Sequence, residues 1–146
     1  MRLGCLRVFS RKNRHRWLLG SLALLSGSAL ADYLGQANNL LCYGLTANVC
    51  MIDGNVCETK EPWELNLPDF VNVDLRGRVL KSTDAAREER ETPIARLERD
   101  QGYIFLQGSQ GDRAFSWVIS EESGEGTIMI NSFDRGVTVF TVCTPR

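Results

Sequence analysis

The sequence holds one histidine, His15, and none beyond it. From residue 32 onward the commonest general base and the commonest metal ligand are therefore missing together. Lysine is scarce there too, with only Lys60 and Lys81. A serine–lysine nucleophilic pair has little to draw on, because Lys81 and Ser82 are adjacent and neighbouring strand residues point to opposite faces. Long apolar runs are also lacking. The longest, residues 17–30, is interrupted by Gly20, Ser21, Ser26, Gly27 and Ser28, and it falls short of the roughly 20 residues that a spanning helix needs.

What is present begins with a leader. A basic stretch (Arg2, Arg7, Arg11, Lys12, Arg14, Arg16) precedes that apolar run, and Ala29-Leu30-Ala31 places small residues ahead of Asp32. This is the layout of an export signal, with cleavage expected after Ala31 and a periplasmic or secreted product that has no stable membrane insertion. Six of the 17 Lys/Arg and none of the 18 Asp/Glu lie in residues 1–31, so the remainder carries 11 basic against 18 acidic side chains, a net charge of −7. Nucleic acid is a poor partner for such a domain. Arg87, Arg90, Arg96 and Arg99 alternate with Glu88, Glu89, Glu91, Glu98 and Asp100, the pattern of a solvated face rather than a basic stripe. A cationic envelope or host protein is the partner class that the charge favours.

Cys5 leaves with the leader, and four cysteines remain, Cys42, Cys50, Cys57 and Cys143. An even number in an exported domain reads as two disulfides. Asp53-Gly54 is a hairpin signal, and pairing around it sets Ile52 opposite Asn55, Met51 opposite Val56 and Cys50 opposite Cys57. Opposed Cα atoms lie within the span a disulfide tolerates, so Cys50–Cys57 is the preferred bridge and Cys42–Cys143 follows.

The organisation expected is one domain, with a cysteine-rich segment over residues 32–61 leading into a β-meander over residues 62–146. Alternation predicts strands over residues 63–67 and 71–75, at 79–80, and over 94–98, 103–107, 113–120, 127–131 and 137–143, separated by turn signals such as Arg76-Gly77 and Gln101-Gly102. About eight strands suffice for a small antiparallel barrel, favoured over a sandwich because closure removes exposed edges. Phe115, Trp117 and Ile119 form one face of their strand, and Val118 on the other makes two-sided burial an expectation there. The strand aromatics are expected in the core. One helical candidate covers residues 83–91, capped by Thr83 and stopped by Pro93.

Chemistry-bearing groups are few. Asp53, Asn55 and Glu58 lack the ligand series of a calcium loop, and Glu121, Glu122 and Glu125 read as a charged hairpin tip. No catalytic, metal or cofactor site is expected. Phe133 sits in a turn with Asp134 and Arg135, and these three are the candidate partner contacts.

The layout from Cys42 to Pro145, with Arg113-Ala114-Phe115-Ser116-Trp117-Val118-Ile119 leading to Gly136 and Cys143, resembles small exported β-proteins of Gram-negative bacteria. In size, export and a cysteine near the C-terminus it is also loosely similar to periplasmic lysozyme inhibitors. Their serine-glycine inhibitory loop is not matched, since Gly108-Ser109-Gln110-Gly111 lacks the residues that follow it there. The resemblance implies a β fold and an exported address and carries over no functional residue. The function expected is a non-enzymatic binding or inhibitor-like module using loops at the barrel ends. A small-ligand carrier and a carboxylate-based hydrolase are the alternatives.

Overall fold

The computed structural model describes residues 33–54, 56–86 and 88–146. The export signal expected over residues 1–31 lies outside them. The described residues form ten strands: β1 (Asn39–Met51), β2 (Cys57–Lys60), β3 (Phe70–Asp74), β4 (Val79–Ser82), β5 (Glu91–Pro93), β6 (Arg96–Asp100), β7 (Tyr103–Gln110), β8 (Arg113–Ser120), β9 (Glu125–Asn131) and β10 (Arg135–Pro145). Nine of them make one antiparallel sheet in the order β5-β4-β3-β1-β10-β9-β8-β7-β6, and β2 pairs with the far half of β1. The sheet curls into a half-barrel. Two meanders, β3 to β5 and β6 to β10, meet where β1 pairs with β10 over Leu40–Pro145 to Met51–Arg135.

Turn chemistry sets the registers. Gln101 and Gly102 both have positive φ, 50° and 80°, as a two-residue turn must if it is to match the strand twist between β6 and β7. The edge strands β5 and β6 are consecutive in sequence, and the sheet's curl brings β5 across β7. A Cβ at Gly108 would meet the Pro93 carbonyl oxygen at 2.3 Å and the Phe115 ring at 2.5 Å, so only glycine admits that crossing. Side chains complete the contact: Gln110 Nε2 donates to the Glu91 carbonyl at 2.6 Å and Thr92 Oγ1 donates to Gln110 Oε1 at 2.7 Å.

Alternation sends one face inward. Leu40, Cys42, Val73, Ile104, Leu106, Trp117, Ile119 and Cys143 are almost wholly buried in one cluster, and Ala47, Val49, Val137 and Val139 form a second. Each large apolar side chain so buried contributes roughly 1.5–3 kcal/mol. Both disulfides form as expected, Cys42–Cys143 inside the first cluster and Cys50–Cys57 at the surface.

Several local expectations are corrected. Residues 62–65 form a 3-10 turn (Pro62–Leu65), not a strand: Pro62 presets its first residue, Glu64 accepts from the Glu61 N–H at 2.8 Å, and Asn66 ends it with φ of 54°. Residues 83–91 contain no described helix. Ser82 and Arg90 instead exchange backbone and side-chain hydrogen bonds, which leads the chain into β5. Cys50 faces Cys57 as the Asp53-Gly54 signal implies, Gly54 N–H donates to the Met51 carbonyl at 3.2 Å, and the expected Ile52–Asn55 pair lies outside the described residues. Val118 is exposed, so β8 buries one face only. Of the strand aromatics just Phe115 and Trp117 enter the core. Tyr43, Phe70, Tyr103, Phe105 and Phe140 lie on the outer face, where Tyr43 and Phe70 stack at 5.1 Å.

Candidate functional site

The two apolar clusters do not merge. Ile128 and Ile130 on β9 touch both, and between them the half-barrel keeps an apolar cleft of about 140 Å³. Its floor is formed by Phe115, Trp117, Ile128, Ile130 and Val139. The one polar pair in that floor is internally satisfied, since Trp117 Nε1 donates to Thr141 Oγ1 at 3.1 Å. The roof is the 3-10 turn and the loop after it, through Pro62, Leu67 and Pro68.

Local sequence explains the roof. β1 and β10 slip register between Gly44 and Thr46, and a Cβ on Gly44 would stand 3.0 Å from Pro62 Cγ. Glycine at this irregularity lets Pro62 settle on the strand. Gly44 N–H is taken by the Asp69 carbonyl at 3.1 Å, which ties the loop end down. From the opposite side Arg90 donates to the Asn66 carbonyl at 3.0 Å and to Glu88, clamping the roof to the β4–β5 connection. The Arg90 guanidinium holds the Glu88 carboxyl below its ordinary value of 4.5, with Arg113 adding to the effect by its charge.

The mouth is basic. Lys81, Arg90 and Arg113 line it, and among the described residues no Asp or Glu lines the cleft. Lys81 is paired with Glu91 at 2.6 Å and Arg90 with Glu88. Among the described residues no carboxylate lies within ion-pair distance of Arg113.

Arg113 also borders a second, more polar hollow of about 470 Å³ at the same end of the half-barrel, lined by Leu65, Leu67, Phe133, Asp134 and Arg135 among others. The three residues singled out from the sequence thus stand beside the cleft's mouth. Phe133 is 81% exposed and does not fold back over the barrel end. Asp134 pairs with Arg135 at 3.0 Å and accepts from Ser132 Oγ at 2.6 Å, and these contacts lower its pKa from 3.8. Leu67, Arg90 and Arg113 carried no signal in the sequence. Leu67 and Arg113 read as strand ends and Arg90 as part of a solvated face and of the helical candidate, and only the curl of the sheet gathers them.

Among the described residues no three His, Cys, Asp or Glu side chains cluster to share a metal ion, and no helix is long and apolar enough to cross a membrane. Among the described residues no pair of carboxylates lines the cleft. Searches of family models, curated proteins and solved structures return no match to this chain.

Proposed function

We propose that the protein is an exported, non-enzymatic binding module that seats one apolar side chain of a protein partner in the cleft. The observation that carries this reading is the cleft's size. Ligand pockets that enclose a small molecule run to roughly 300–1,000 Å³, whereas an apolar cavity of about 150 Å³ holds a single benzene-sized ring. At about 140 Å³ the cleft fits an anchor residue. Interfaces place such anchors in well-packed pockets surrounded by weaker contacts, and the hollow bordered by Phe133, Asp134 and Arg135 gives the flanking chain a polar bed.

Two disulfides suit an oxidising compartment, which supports export. The net charge of −7 that cleavage leaves favours a partner that is cationic overall.

The test is calorimetric titration of the oxidised protein with acetyl-Gly-Gly-Phe-amide and acetyl-Gly-Gly-Gly-amide. Burial of the ring is worth roughly 1.5–3 kcal/mol, so the first peptide is expected to bind about 10- to 100-fold more tightly than the second. Val71 lines the cleft, and Val71→Phe should fill it and abolish the difference while unfolding stays cooperative. Equal behaviour of the two peptides with the native protein would refute the anchor.

A further inference from the structure

The chemistry around the mouth says more about the occupant than its size. We infer that the seated group is the C-terminal residue of the partner chain, with its apolar side chain in the cleft and its α-carboxylate on Arg113. This deepens the anchor reading and depends on it.

Three observations converge. Among the described residues no carboxylate lines the cleft; Glu88 acts on Arg113 only by longer-range charge, and Asp112 and Asp134 line the adjoining hollow. Of the three cations there, Lys81 is held by Glu91 and Arg90 is committed twice, to Glu88 and to the Asn66 carbonyl. Arg113 is left with no ion-pair partner among the described residues. A guanidinium presents a planar fork of donors that a carboxylate fills with two parallel hydrogen bonds, and an unpaired arginine is therefore a ready carboxylate receptor.

Position fixes which carboxylate. Arg113 opens β8 right after the Gly111-Asp112 turn and lines both the apolar cleft and the adjoining hollow. A carboxylate held at that junction has an apolar space of about 140 Å³ on one side and a more polar space of about 470 Å³ on the other. A terminal residue matches this arrangement: its side chain turns into the cleft and the preceding residues run out through the hollow. A free short acid would use the first space and leave the second empty.

Four peptide and acid probes separate the possibilities: acetyl-Gly-Gly-Phe with a free carboxylate, its amide, acetyl-Gly-Gly-Gly with a free carboxylate, and 3-phenylpropanoate. The free-acid Phe peptide is expected to bind about tenfold more tightly than its amide, the size of one charge-assisted contact at a partly solvated site. That preference should shrink as salt is raised, and 3-phenylpropanoate should bind more weakly than the peptide acid. Arg113→Gln is expected to erase the acid-over-amide preference. Arg113 is exposed, so the variant should fold, and a cooperative thermal transition checks this.

Equal binding of acid and amide would overturn the carboxylate assignment while leaving the anchor in place. An undiminished preference in Arg113→Gln would overturn the role of Arg113. Equal affinity for 3-phenylpropanoate and the peptide acid would replace a chain terminus with a free acid. Failure of both Phe peptides would bring down the anchor reading itself.

Discussion

Arg99 and Glu121 meet at 2.6 Å, joining the exposed edge strand β6 to the turn after β8. The same guanidinium donates to the carbonyls of Gly35 and Ala37, each at 2.6 Å, so one side chain fastens the segment ahead of β1 to the sheet. Leu34, which this segment delivers to the core, is fully buried, and its N–H is taken by the Glu121 carbonyl at 2.8 Å. Cutting a buried pair at one end costs about 3–5 kcal/mol, and the partial exposure of Arg99 reduces that. Arg99→Met should therefore destabilise by about 2 kcal/mol in urea unfolding, with increased hydrogen exchange at Leu34. A loss below about 0.5 kcal/mol would show that the segment is held by Leu34 burial alone.

The two disulfides should differ in both contribution and reducibility. Cys42–Cys143 closes a separation of 101 residues and Cys50–Cys57 one of 7, which in the chain-entropy model correspond to about 4.7 and 2.5 kcal/mol. Cys42 and Cys143 are buried, whereas Cys50 and Cys57 are exposed. Limited dithiothreitol followed by alkylation and peptide mass mapping should label Cys50 and Cys57 first. Simultaneous labelling of all four would mean that reduction proceeds through global unfolding.

Gly108→Ala should loosen the seam between β5 and β7. Its Cβ would stand 2.3 Å from the Pro93 carbonyl oxygen, backbone that cannot swing aside as a side chain does. Overpacking of this kind costs about 1–3 kcal/mol. A glycine whose Cβ would meet open space, such as Gly111, is unsuitable as a control because its φ of 62° strains any L side chain. Exposed Ser109→Ala serves instead and should be neutral. Equal melting temperatures for Gly108→Ala and the native protein would show that β5 moves freely.

The roof clamp should carry a small acid-side dependence. Glu88 is held below 4.5 chiefly by the hydrogen bond from Arg90, so its ionised form is favoured in the folded state. A depressed carboxyl contributes stability that is fully present above its unfolded pKa and is lost as the pH falls through the folded one. The window is therefore below about pH 4.5. Melting temperature recorded from pH 6 to pH 2.5 should fall less steeply for Glu88→Gln than for the native protein, and only slightly so because Glu88 is exposed. A difference present at pH 6 that vanishes in acid is the expected signature of this pair, while parallel curves would show that Arg90 holds the roof through Asn66 alone.

Much of the fold was legible because its signals are local. Residues 113–120 alternate cleanly, and β8 spans the same residues. Cysteine pairing followed from strand opposition, and Cys50 does face Cys57. Alternation names two faces and does not say which is buried. Tyr103 and Phe105 share a face with Ser109, opposite Ile104 and Leu106, and the smaller aliphatic pair went inside. For residues 63–67 the alternating pattern was outweighed by Pro62 and by the left-handed Asn66, which make a turn of that segment.

The sequence by itself determined the all-β class, most of the strands from residue 71 onward, the pairing of the four cysteines and the scarcity of groups for catalysis. Each depends on a period of two, a turn residue or a count. The tertiary structure alone decided that the sheet curls until β5 meets β7, that two apolar clusters leave a cleft between them, and that Arg113 stands unpaired among the described residues at its mouth beside Phe133. Those outcomes rest on contacts between residues far apart in the chain, where packing volume and close backbone approach choose among arrangements that local patterning leaves equivalent.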